Sequence, residues 1–247
     1  MKHSGEIQFQ IPAKTFILGE YAVLMGHDAL ILTTPPYFTV TLRRKDLNNR
    51  PADIPFHPES AAGNLLSKHM HIFEPFDLII SDPFKGMGGF GRSSAEFIAV
   101  WWAINYLKAL KTNIQIKAIH RDYLNSLPVN SGSFQPSGVD LLSQCLGGGL
   151  VHMTRQTGYR GMVLKWPFPQ MRMLLFHTQT HCPTSAHLNT LTTIPETLIK
   201  PLEQGIKAVY SSNQAAFIGA IKSFVCAQAH ADLVTHATLV WIEQLTA

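Results

Sequence analysis

Near the start of the chain, Ile7, Phe9 and Ile11 alternate with Gln8 and Gln10. An apolar residue at every second position marks a strand with one buried face, here expected to end at Pro12. Residues 15–23 are a second apolar stretch, broken by Gly19-Glu20. Phe38, Val40 and Leu42 alternate again and predict another strand. Residues 46–58 are polar and proline-rich and read as a loop, and the short apolar run Phe76–Ser81 as a buried strand. The period then changes. Phe97, Val100, Trp101, Ile104 and Leu107 recur at three- and four-residue spacing, which puts them on one face of a helix opening near Ser93. A second helix is expected over residues 113–127 and a third over Val139–Leu146, closed by Gly147-Gly148-Gly149. Residues 150–153, 161–165 and 171–177 read as strands, and the chain from about Ser185 onward as mostly helical. Strands, helices, strands and helices in that order define an α+β protein in two lobes, with the boundary between residues 150 and 175.

Composition narrows this picture. With 247 residues, 46% of them hydrophobic, the chain suits one globular unit or two closely joined lobes. The net charge of +4 favours an anionic partner. The basic residues are scattered, with Arg43-Arg44-Lys45 as their cluster, which argues against nucleic acid. Cys145, Cys182 and Cys226 have no metal-ligand spacing and fit a reduced, cytoplasmic protein. The first residues lack the apolar core of a signal peptide, and no apolar run approaches the roughly 20 residues of a membrane span. No membrane partner is expected, and the sequence leaves a homo-oligomer possible.

The strongest chemical signal is Gly86-Met87-Gly88-Gly89-Phe90-Gly91-Arg92-Ser93-Ser94-Ala95, between a strand and a helix. Its glycines let backbone N–H groups approach a ligand, and the first-turn amides of the helix carry partial positive charge. Together they make an anion site suited to a di- or triphosphate, where a serine hydroxyl can reach magnesium. A tight strand-to-helix turn with a serine cap would look the same. The stretch is not a P-loop, and although it satisfies the letters GxGxxG, no later acidic residue supports a dinucleotide fold.

Three segments together resemble the GHMP kinases (galacto-, homoserine, mevalonate and phosphomevalonate kinases). Gly89-Phe90-Gly91-Arg92-Ser93-Ser94-Ala95 is similar to that family's G-L-G-S-S-A-A, with Arg92 in place of its first serine. Residues 12–24, PAKTFILGEYAVL, resemble its first motif, P-G-K-x-x-L-x-G-E-[HY]-A-V, with Ala13 in place of glycine. Pro136-Ser137-Gly138-Val139-Asp140 resembles the P-S-G-x-D segment of mevalonate kinases. A looser match covers residues 176–180 and Thr184. Taken alone, Lys14 also fits an ordinary strand end, Glu20 a turn, and Asp140 a first-turn acid favoured by the helix dipole.

The resemblance implies a two-lobed GHMP-kinase-like fold, with a ribosomal-protein-S5-like lobe over residues 1–155 and an α/β lobe over residues 156–247. It implies transfer of the γ-phosphate of ATP to mevalonate or phosphomevalonate, a small anionic or hydroxylated substrate. Gly88, Gly89, Phe90, Gly91, Arg92, Ser93 and Ser94 would hold the nucleotide, with Ser93 on Mg2+. Asp140 would be the base and Lys14 its catalytic partner. Glu20, Tyr21, Ser137 and Gly138 would lie on the substrate. Two departures stand out. Mevalonate kinases carry a magnesium-binding glutamate about a dozen residues before the base, whereas residues 123–139 contain no acid and Asp122 is the nearest. The family's third glycine-rich motif is not found: the sequence stops at Ala247, about where that motif is expected to begin, so it is either absent or lies beyond these residues. A sugar kinase of the same family, or a non-catalytic nucleotide- or anion-binding protein of this fold, are the alternatives.

Overall fold

The computed structural model describes residues 6–45, 56–108, 115–128, 134–156, 158–176, 191 and 193–246. Two long strands, β1 (Glu6–Leu18) and β2 (Ala29–Arg44), open the chain. Together with β3 (Phe76–Ser81), β4 (Leu150–Gln156) and β5 (Gly158–Leu164) they form a five-stranded sheet of order β1-β2-β4-β5, with β3 also pairing with β2. Strand β1 continues through Pro12, where the alternation pattern had been expected to stop. It is the first strand of the order, and an edge strand tolerates a residue that cannot donate to a ladder.

Contacts group the chain into two compact units. The first gathers residues 1–14, 33–129 and 138–147. In it β3 runs antiparallel to β2, with Thr39 opposite Ser81 and Arg44 opposite Phe76. Its helices are α1 (Ala61–Ser67), α2 (Met70–Phe73), α3 (Arg92–Leu107), α4 (Ile116–Ser126) and α5 (Val139–Leu146). Ser60 caps α1 by accepting from the Gly63 amide at 3.0 Å. The expected helical stripe of α3 is wider than its spacing implied. Ala95, Phe97, Ile98, Ala99, Val100 and Ala103 are all buried, which makes it the central helix of this unit.

The second unit gathers residues 15–32, 130–137 and 148–247. Here β4 pairs antiparallel with the first part of β2, Leu30 opposite His152, and β5 returns along β4. Among the described residues the α-helices that follow are α6 (Ile199–Tyr210), α7 (Gln214–His230) and α8 (His236–Thr246). The core is built on Leu18, Leu30, Phe168, Leu202, Phe217 and Phe224. Residues 171–176, expected as a strand, form no regular element, and Leu174 and Phe176 are exposed. An apolar run does not by itself distinguish a strand from an exposed connection. His177, Thr178 and Thr184 lie outside the described residues. Among the described residues no helix is long and apolar enough to cross a membrane.

Candidate functional site

Asp82 follows β3 and organises the entrance to the glycine loop. Its Oδ1 accepts from the Phe84 amide at 2.8 Å and its Oδ2 from the Gly86 amide at 2.9 Å. Lys85 N donates to the Asp82 carbonyl and Met87 N to that of Phe84. The amides of residues 84–87 are therefore turned inward. Beyond them, no acceptor among the described residues takes up the amides of Gly88, Gly89 and Phe90. The Phe84 and Phe90 rings stack at 4.1 Å, which joins the two ends of the loop.

Helix α3 begins at Gly91 (φ 84°, ψ 31°), and no side chain caps it. The sequence suggested a serine cap, but Ser94 lies inside the first turn and is buried, while Ser93 is exposed. Ser94 Oγ lies 2.6 Å from Gln144 Oε1 and 3.1 Å from the Gly91 carbonyl. The amides of Arg92, Ser93 and Ser94 precede the first intrahelical bond, Ala95 N to Gly91 O, and form the positive end of the helix.

Gln144, buried on α5, ties this loop to β1. Its Nε2 donates to the Pro12 carbonyl at 2.7 Å and to the Gly91 carbonyl at 3.2 Å. Lys14 joins the same junction, its amide donating to the Phe90 carbonyl at 3.0 Å. A Cβ on Gly91 would fall 2.7 Å from Lys14 Cγ and 2.9 Å from Gln144 Nε2, so the lysine stem lies directly against the loop. Asp140 sits one helical turn before Gln144, on the same side of α5, in that helix's first turn. It is half-buried. Burial, with the charge of Asp140 as a smaller cause, pushes the Tyr123 hydroxyl well above its ordinary range.

Arg92 is held between two acids. Its Nε lies 2.8 Å from Glu96 Oε1 and its Nη1 3.3 Å from Asp82 Oδ2. Burial raises the Glu96 carboxyl, and the bond to Arg92 pulls it part of the way back. The Glu96 hydrogen bond in turn raises Arg92. Asp122, the acid that precedes Asp140 in the sequence, accepts from Trp101 Nε1 at 3.1 Å and so links α3 to α4.

Lys14, the Gly88–Ser94 loop, Gly138 and Asp140 therefore belong to one compact unit. Glu20, Tyr21 and Ser137 belong to the other. There Glu20 is exposed, while Tyr21 is buried and donates to the Leu233 carbonyl at 3.2 Å. Gly138 caps α5 at φ 68°, and a Cβ on it would meet the His120 ring at 2.7 Å. Sequence reasoning overlooked Asp82, His120 and Gln144. A polar residue among the buried positions of α5 was the signal available for Gln144.

The nucleotide and metal that the sequence resemblance implies can be tested against these residues. Open space lies around Gly86 and Gly89, and a row of unclaimed amides ends at an uncapped helix. That donor set fits a polyphosphate. The exposed hydroxyl of Ser93 would offer a magnesium ion a single oxygen ligand. Among the described residues no three His, Cys, Asp or Glu side chains gather as a metal site.

No protein-family model and no curated protein matches the sequence. Solved structures do. Phosphomevalonate kinase from Streptococcus pneumoniae, in complex with phosphomevalonate and AMPPNP, superposes with a TM-score of 0.66 at 17% identity, over 91% of this chain and 80% of that one. L. major mevalonate kinase in complex with R-mevalonate gives 0.64 at 16%, over 95% and 79%. Lactococcus lactis galactokinase complexed with galactose gives 0.59 at 14%, over 91% and 75%. The fold is that of the GHMP kinases.

Proposed function

We propose that the protein is an ATP-dependent kinase acting on a small hydroxylated or anionic molecule, with mevalonate or 5-phosphomevalonate as the substrate. The observation that carries this reading is the junction at Gly91. There the uncapped start of α3, the stem of Lys14 and the helix bearing Asp140 are joined through Gln144.

Free amides from Gly88 to Ser94 would bind the phosphates, and the Lys14 ammonium would offset charge at the transferred group. With mevalonate, Asp140 would accept the proton of the attacking hydroxyl as its oxygen bonds to the γ-phosphorus and the bond from that phosphorus to the bridging oxygen of ADP breaks; with 5-phosphomevalonate an unprotonated phosphate oxygen would make the same bond and no proton would pass to Asp140. Magnesium, when bound, would neutralise phosphate charge next to the Ser93 hydroxyl. Glu20, Ser137 and Gly138 are proposed on the substrate side. The cytoplasm is the proposed compartment.

The sequence pattern favours an isoprenoid-type substrate, but its two signals conflict over which one. Gly19-Glu20-Tyr21-Ala22-Val23-Leu24 is closest to phosphomevalonate kinases and Pro136–Asp140 to mevalonate kinases. A second reading, a non-catalytic nucleotide-binding module, draws on the lack of any acid in residues 123–139. ATP consumption measured with mevalonate, phosphomevalonate and a panel of sugars separates them. Turnover is expected with one of the two mevalonates. Turnover on a sugar alone would reassign the substrate, and nucleotide binding with no turnover on any would favour the module.

A further inference from the structure

The phosphate loop of this chain contains an arginine, and Arg92 would ordinarily be assigned to a phosphate oxygen. Its surroundings assign it elsewhere. The guanidinium contacts Glu96 through Nε and Asp82 through Nη1, and both carboxylate side chains are only 10% exposed. Asp82 in turn holds the amides of Phe84 and Gly86 at the loop entrance. Glu96 lies one turn inside α3. The chain Phe84/Gly86–Asp82–Arg92–Glu96 therefore spans the loop from its first residues to the helix that follows it.

We propose that Arg92 is a positioning residue: its side chain is a strut that fixes the glycine loop to α3, while the backbone amide of the same residue is left to face phosphate. The strut has an electrostatic role as well. Two nearly buried carboxylates beside a polyphosphate site would repel the ligand, and an arginine shared between them offsets that repulsion without occupying the site. Removing Arg92 alone strands both acids, so the damage should be relieved by also neutralising an acid. The proposal rests on the nucleotide reading of this loop.

The test is a double-mutant cycle on Arg92→Met and Glu96→Gln, with Asp82→Asn as a third variant. It is read by affinity for a non-hydrolysable ATP analogue and, with no nucleotide present, by amide hydrogen exchange over residues 83–91. Arg92→Met should weaken the analogue by about tenfold or more and speed exchange in the loop. Glu96→Gln added to Arg92→Met should cost less than it does alone, or restore affinity. Asp82→Asn should speed exchange at Phe84 and Gly86. Additive losses would overturn the strut. So would tighter binding in Glu96→Gln beside weaker binding in Arg92→Met with loop exchange unchanged, the pattern of a direct phosphate ligand. A wild-type protein that binds no analogue would refute the nucleotide reading, while the exchange rates alone would still decide whether the strut exists.

Discussion

At Gly91 the backbone has a φ of 84°, and the first atom of any side chain would fall against Lys14 and Gln144. Gly86 has a similar φ of 83° but open space around it. The pair separates backbone strain from crowding. Gly86→Ala should cost only the left-handed conformation, about 1–2 kcal/mol, whereas Gly91→Ala should cost about 1–3 kcal/mol more, since backbone and lysine stem must both shift. Thermal melts of the two variants check this, and equal losses would contradict the packing at Gly91. The sequence singled out Lys14, Asp140 and the glycines because each stands in a contiguous motif whose spacing reflects local backbone needs; their roles are proposals. Gln144 was not, because its acceptors at Gly91 and Pro12 are 53 and 132 residues away. Its meaning is created by the tertiary fold.

Helix α5 shows the same division at the scale of an element. Its extent, Val139–Leu146, follows directly from the apolar run and the glycines after it. That it clamps β1 to the start of α3 does not. Replacing Gln144 with Leu keeps the volume nearly constant but leaves the Ser94 hydroxyl and the Pro12 carbonyl without that partner. The expected cost is about 2–4 kcal/mol, a fall in melting temperature of roughly 4–16 °C. An unchanged melting temperature would contradict the clamp. Elsewhere β3 matched its expected bounds but not its expected burial: Asp77 and Leu78 are buried, while Ile79 and Ser81 are exposed. Strand β1 outran expectation at Pro12 because edge position, a property of the sheet, decides whether proline is tolerated. Residues 171–176 show the converse, an apolar run that forms no regular element among the described residues.

For the whole molecule, three short motifs in order were enough to anticipate the fold that solved kinases share with this chain at 14–17% identity. Those motifs coincide with backbone constraints, such as positive φ at Gly91 and Gly138, that a fold retains while its other positions change. Substrate choice is less legible, because it depends on side chains lining a site and the matching folds act on different molecules. The proposed function requires a working kinase with Asp140 as its base. Asp140→Asn keeps the shape of the side chain and removes its basicity. The decisive measurement pairs ATP-analogue affinity with turnover in wild type and Asp140→Asn. Affinities within about threefold of each other and a fall in turnover of about 100-fold or more are expected. Turnover in Asp140→Asn equal to wild type would contradict Asp140 as the base.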